Sequence, residues 1–207
     1  MPHIKLESVQ WHVRRAKLSE QASTQINDTL RHSNALFPIT RFRVFSKSFE
    51  SAAIDFTKVL EGAIPTHVVV AFVSSAAIQG SNKLNPFNFA NYGLNRLQVS
   101  AAGQNFPRRE LTPTFSGQAL VGTQAAREYH RLLQMTHKTN GPEGLLFSMA
   151  DFSGGYALYS FDLTPDLDSG HWSPSYRGSL EIHGAFSADP AANVSIVVFA
   201  EVPSVWE

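Results

Sequence analysis

Three places in this sequence combine residue types and spacings that could carry chemistry. The densest runs from Phe161 to Trp172, FDLTPDLDSGHW, where Asp162, Asp166 and Asp168 offer hard oxygen atoms and His171 and Trp172 follow directly. Such oxygens suit Ca²⁺, but the spacing lacks the central glycine and terminal glutamate of the known calcium loop, so no metal and no other cofactor is predicted. The plainer reading is that Asp162 closes a strand and Thr164-Pro165 stops it, with the Asp and Thr side chains tying off loose backbone amides. A second use of the loop is sugar recognition. Asp166, Asp168, His171 and Trp172 would line a shallow site with Trp172 stacked on a pyranose, unless Trp172 plugs the base of its own loop.

The second place is NPFNF, Asn85 to Phe89. Asn85 and Asn88 are suited to turning their side chains back on the local backbone, while Phe87 and Phe89 are read as anchors of the loop to the core. The third is a scatter of groups that resemble catalytic sets only loosely. His130 and His137 are seven residues apart with no HExxH pattern, so zinc chemistry is not expected. Ser153-Gly154-Gly155 lacks the GxSxG elbow and reads as a turn. Asp162 and Glu181 would have to converge to serve as a glycosidase pair, and a chain with 17 acidic residues offers many such pairs. No acid, base or nucleophile arrives in a recognisable constellation, so neither a catalytic residue nor an enzymatic activity is predicted.

These loops need a scaffold, and composition bounds it. The 207 residues are 43% hydrophobic, with 15 Phe and no Cys, enough for one substantial core held by packed side chains without disulfides. No Gly/Ser-rich or charge-rich linker divides the chain, so residues 1–207 are expected to form one domain. No run approaches the roughly 18 apolar residues of a membrane span, and MPHIKLESVQ lacks a signal peptide's apolar stretch. Net charge is zero, but residues 1–138 carry 16 Lys/Arg against 8 Asp/Glu, whereas residues 139–207 carry only Arg177 against 9 acids. Late strands inserted between early ones would bring opposite charges side by side. Only Arg14, Arg15 and Lys17 cluster, so nucleic acid is not expected as a direct ligand.

Periodicity supplies the elements. Ile4–Val13 is read as a first strand with Val9, Trp11 and Val13 on one face. Ser19 caps a short helix whose Ala22, Ile26 and Leu30 recur every four residues. In ITRFRVFSKSF, from Ile39, the apolar phase changes at Val44 and Phe45, which predicts a bulge. Ala53–Phe56 is read as a short strand before a turn of helix ending near Gly62 and Pro65. His67–Val73 is apolar throughout and predicts a central strand covered on both faces. Leu94–Ala101 alternates and leads through Gly103 into a hairpin-like exit at Phe106 and Pro107. From Gln118 to His137 a long amphipathic helix sets Val121, Ala125, Tyr129, Leu132 and Leu133 against a polar stripe of Gln124, Arg127, Glu128, Arg131 and Gln134. Tyr156–Asp162, Ser179–Phe186 and Val194–Val202 complete about eight strands. The fold class expected is all-β, a two-sheet jelly-roll sandwich with one long and one short helix in its connections.

Two longer strings, SNKLNPFNFANYGLNRLQV (Ser81 to Val99) and YALYSFDLTPDLDSGHWSPSYRGSLEI (Tyr156 to Ile182), resemble the C-terminal region of uncharacterised reading frames of animal genomes and viruses. Those frames are associated with Maverick/Polinton-type elements and related DNA viruses. FPITRFRV (Phe37 to Val44) and IVVFAEV (Ile196 to Val202) fit the same order, so the resemblance covers most of the chain. It implies a structural role in a virion, as a jelly-roll coat protein of the hexon-like lineage. These relatives carry a further N-terminal region of comparable size, which implies a single-roll version here or one half of a double roll.

Two functional classes follow. In the first, the chain is a capsid subunit that assembles with itself, as a trimer or pentamer, and with other coat proteins, and resides in the virion. In the second, it is a lectin-like or receptor-binding sandwich. The coat subunit would assemble through its loops and sheet edges, with Asn85, Phe87, Phe89, Asp166, Asp168, His171 and Trp172 as loop or interface candidates; the lectin-like site would use Asp166, Asp168, His171 and Trp172.

Overall fold

The computed structural model describes residues 8–116, 119–120, 123–136, 147–164 and 176–206. In chain order these form α1 (Glu20–Leu30), β1 (Phe37–Phe49), β2 (Ala53–Ala63), β3 (His67–Ser74), the single turn α2 (Ser75–Ile78), β4 (Phe89–Ala90), β5 (Leu94–Ala101) and β6 (Gln104–Leu111). There follow β7 (Phe115–Ser116), β8 (Ala119–Leu120), α3 (Thr123–Met135), the single turn α4 (Met149–Phe152), β9 (Gly154–Gly155), β10 (Leu158–Asp162), β11 (Arg177–Phe186) and β12 (Val194–Trp206).

Eight of these strands make two antiparallel sheets, ordered β1-β12-β3-β10 and β2-β11-β5-β6, here called sheets one and two. The chain alternates between the sheets through β1, β2, β3 and β5, returns within sheet two as the β5–β6 hairpin, and then alternates again from β10 to β12. The last two strands thereby insert into the middle of the two sheets, β12 between β1 and β3 and β11 between β2 and β5. This interleaved order is that of a jelly roll, the fold class expected. The β5–β6 hairpin turns on Ala102 and Gly103, both at positive φ, the backbone that matches a two-residue turn to the twist of its strands.

Residues Pro38–Ser204 hold the sandwich. Its interior follows from strict alternation. Val68, Val70 and Phe72 of β3 point inward, register against Ala200, Val198 and Ile196 of β12, and are fully buried. Phe72 meets Phe186 of sheet two edge to face at 5.1 Å, and Phe49 of β1 meets Phe56 of β2 at 5.6 Å, so aromatic rings bridge the sheets. On the opposite face of sheet one the Ser195 hydroxyl lies 2.8 Å from both the Ser48 and the Ser75 hydroxyls, a serine row that spans β1, β12 and the first residue of α2.

Residues 8–37 belong to a separate unit with 205 and 206. In it Ser19 caps α1 as expected, its hydroxyl accepting from the Ala22 amide at 3.3 Å. None of the α1 residues is buried.

Several expectations are corrected. Residues 8–13 form no strand, although Val9, Trp11 and Val13 alternate as one; residues 4–7 lie outside the described set. Ala53–Ala63 is one long strand with no helix near Gly62. Its register against β11 jumps, Leu180 facing Leu60 but Ile182 facing Phe56. That bulge moves the buried apolar residues from Ile54 and Phe56 to Val59, a spacing that imitates a helical turn. Conversely β1 needs no bulge at Val44 and Phe45. Phe42 and Val44 face out, Phe45 and Phe49 face in, and unbroken alternation accounts for all four. The long helix does form, but Glu128, assigned to its polar stripe, is buried.

Candidate assembly interface

The outer face of sheet one carries the most distinctive surface. Along β1 the even-numbered side chains face outward, leaving Phe42 61% and Val44 64% exposed. Phe42 stacks on Phe199 of β12, ring centroids 5.1 Å apart, and Phe199 stands opposite the half-buried Val69 of β3. Single exposed apolar residues are ordinary; a stacked aromatic pair continuous with Val44 and Val69 is a patch of the kind that marks binding surfaces.

One register step further along the same face lies an ionisable row. His67 stands between Glu201 and Asp162, its cross-strand partners. Its Nδ1 is 3.3 Å from Glu201 Oε2 and its Nε2 is 3.9 Å from Asp162 Oδ1. Asp162 also ends β10 as the sequence predicts, its Oδ1 accepting from the Thr164 amide at 2.9 Å and from the Thr164 hydroxyl at 2.6 Å. On the outer face of sheet two, His183 Nδ1 lies 2.9 Å from Asp55 Oδ1 and its Nε2 lies 3.4 Å from Glu181 Oε2. In these cross-strand contacts the carboxylates meet histidine rings, not Lys or Arg side chains. Asp162 and Glu181 lie on the outer faces of different sheets, so they do not converge as a carboxylate pair.

In the NPFNF loop, Asn85 Oδ1 accepts from the Phe87 amide at 3.0 Å, the local turn expected of it. The Asn88 Oδ1 sits 2.7 Å from where a Cβ on Gly155 would be, and Gly155 holds a positive φ of 146°. A side chain there would collide, so glycine lets Phe89 pair with Gly155 in the β4–β9 ladder. Phe89 is half-buried, whereas Phe87, expected as a second anchor, projects into solvent with 72% exposure. Aspartates 166 and 168, His171 and Trp172 lie outside the described residues. Ser153 is buried at the end of α4, its hydroxyl donating to the Ala150 carbonyl at 3.3 Å.

Sequence reasoning missed one ionic site. Glu128 of α3 is only 1% exposed, and among the described residues neither carboxylate oxygen has a hydrogen-bond partner. Its Oε2 is 3.5 Å from Arg131 Nη1. Desolvation raises the Glu128 pKa above the ordinary carboxyl value, against the opposing pull of Arg131 and Arg127. The Tyr159 hydroxyl, also buried with no partner among the described residues, is pushed far up by its own burial and then by the Glu128 charge. A signal was present. Glu128 lies three residues after Ala125 and four before Leu132, on the line of the apolar stripe, and only its charge placed it with the polar residues.

These features define the class of the molecule as an eight-stranded jelly-roll sandwich with one open apolar sheet face. No family model matches the chain. It is 23% identical over 181 residues to an uncharacterized protein of Caenorhabditis elegans, an alignment that takes in 86% of this chain and 42% of that protein. Among solved structures it is similar to the Faustovirus major capsid protein, with a TM-score of 0.49 and 13% identity over 87% of this chain and 35% of that one. The chain therefore spans less than half the length of the curated relative it matches. No helix among the described residues is long and apolar enough to cross a membrane.

Proposed function

We propose that the protein is a coat subunit of a virion, of the Maverick/Polinton-related hexon-like lineage, that assembles with copies of itself and with other coat proteins. The reading assigns it no catalysis. The observation that carries it is the open apolar face of sheet one, where Phe42, Phe199 and Val44 are held by strands on a rigid sandwich and remain accessible. A hydrophobic patch fixed in shape is suited to a repeated contact between subunits, because no side-chain ordering has to precede docking. The long edge strand β1 beside it supports the same reading. It is 13 residues long, ends sheet one, and carries Arg41, Arg43 and Lys47, charges that oppose indiscriminate edge pairing.

The test is assembly of the purified full chain, followed by sedimentation and electron microscopy. The expected result is closed trimers, pentamers or larger shells for the natural chain. The doubly substituted Phe42→Asp, Phe199→Asp chain should remain monomeric with near-unchanged melting. A natural chain that stays monomeric at every concentration, alone and with partner coat proteins, would remove the proposal.

A further inference from the structure

Residues 8–19 form neither helix nor strand, and all of them are exposed. Yet an extended segment there is strongly two-sided. Val9, Trp11, Val13, Arg15 and Lys17 are spaced by two, so three apolar side chains and then two cations fall on one side. Val9, Trp11 and Val13 are 80%, 90% and 60% exposed. A pattern of this kind is that of a strand covered on one face.

The outer face of sheet one presents a matching sequence of chemistry. The apolar pair of Phe199 and Val69, with Phe42 stacked on Phe199, is followed two residues along β12 and β3 by the row that holds Glu201, His67 and Asp162. Two residues of strand are about 6.6 Å, the same step that separates Val13 from Arg15 in an extended segment. The Glu201 and Asp162 side chains keep 33% and 29% exposure, so their carboxylates can still accept a cation. Apolar then basic on the segment meets apolar then acidic on the sheet.

Resting on the coat-subunit reading, we propose that the Val9–Lys17 segment of one copy packs across the outer face of sheet one of a second copy. Val9, Trp11 and Val13 cover Phe42 and Phe199, while Arg15 reaches the row of Glu201 and Asp162 and Lys17 follows just beyond it. Each copy offers both the segment and the face, so a cyclic exchange satisfies every copy at once, which is the condition for a closed ring.

A photo-crosslinking side chain placed at position 11 of the full-length chain tests the contact, using a mixture of ¹⁵N-labelled and unlabelled protein. The expected product joins position 11 to peptides containing Phe42 or Phe199, with labelled and unlabelled partners combined. The same peptides joined only within single chains would overturn the exchange between copies, and assembly with crosslinks solely to other surfaces would overturn the contact while leaving the coat reading in place. A chain that never associates would remove both. Charge reversal gives an independent readout. Arg15→Glu with Lys17→Glu should weaken association about tenfold or more, and adding Glu201→Lys should recover part of it. Unchanged association after reversal would also overturn the contact.

Discussion

Phe72 of β3 and Phe186 of β11 meet edge to face across the interior, ring centroids 5.1 Å apart, and through them sheet one is joined to sheet two. Phe72 is fully buried and also touches Phe49 and Tyr159, so it is the point where three aromatic neighbours from both sheets converge. Phe72→Ala should lower stability by about 3–5 kcal/mol, the range for removing a buried aromatic ring whose surroundings cannot collapse. Equilibrium denaturation measures this. A loss under about 1 kcal/mol would mean that the sheets do not close around this residue.

Gly184 is set by backbone crowding between neighbouring strands. A Cβ there would lie 2.6 Å from the Arg96 carbonyl oxygen of β5 and 3.4 Å from Ile54 of β2. Gly184→Ala should therefore destabilise by about 1–3 kcal/mol, since the obstacle is main chain that cannot rotate away. Thermal melting of the variant against Gly178→Ala, where the nearest atom is the Ala102 methyl at 2.7 Å, separates strand crowding from contact with a turn.

The buried Glu128 predicts a pH dependence with a definite sign. Its pKa is raised in the folded state, chiefly by desolvation, so the folded protein holds this proton more tightly than the unfolded chain does. Its contribution to stability is most favourable below the ordinary carboxyl range and is lost as pH rises through the raised folded value. Glu128→Gln keeps the shape and removes the titration. The variant's stability relative to the natural protein should rise between acidic and neutral pH, measured by denaturation at a series of pH values; a difference that stays constant with pH would refute the assignment.

Phe87 gives a contrast with the buried aromatics. At 72% exposure, its replacement by Ala should change stability by less than about 0.5 kcal/mol. A loop contact between subunits would show as impaired assembly with unchanged melting. A loss of several kcal/mol would instead mean that the ring is a core anchor after all.

Elements whose environment is uniform along their length are legible in the residue pattern. His67–Val73 was legible as a central strand because both of its faces are apolar, and α1 and the helix around Tyr129 were legible because one face of each repeats at helical spacing. Asp162 with Thr164 and Asn85 with Phe87 were legible because their hydrogen bonds join residues two apart. What depends on a distant neighbour is set by packing in space. The bulge opposite Leu180 and Ile182 turned an apparent helix into strand β2, and the partnership with Phe199 gave the exposed Phe42 a role without a bulge. Burial of Glu128 and exposure of Phe87 likewise follow from what packs on each position in space. Local periodicity records how a side chain is turned, but what it meets there is set by segments more than a hundred residues away, such as β12 beside β1 and β3.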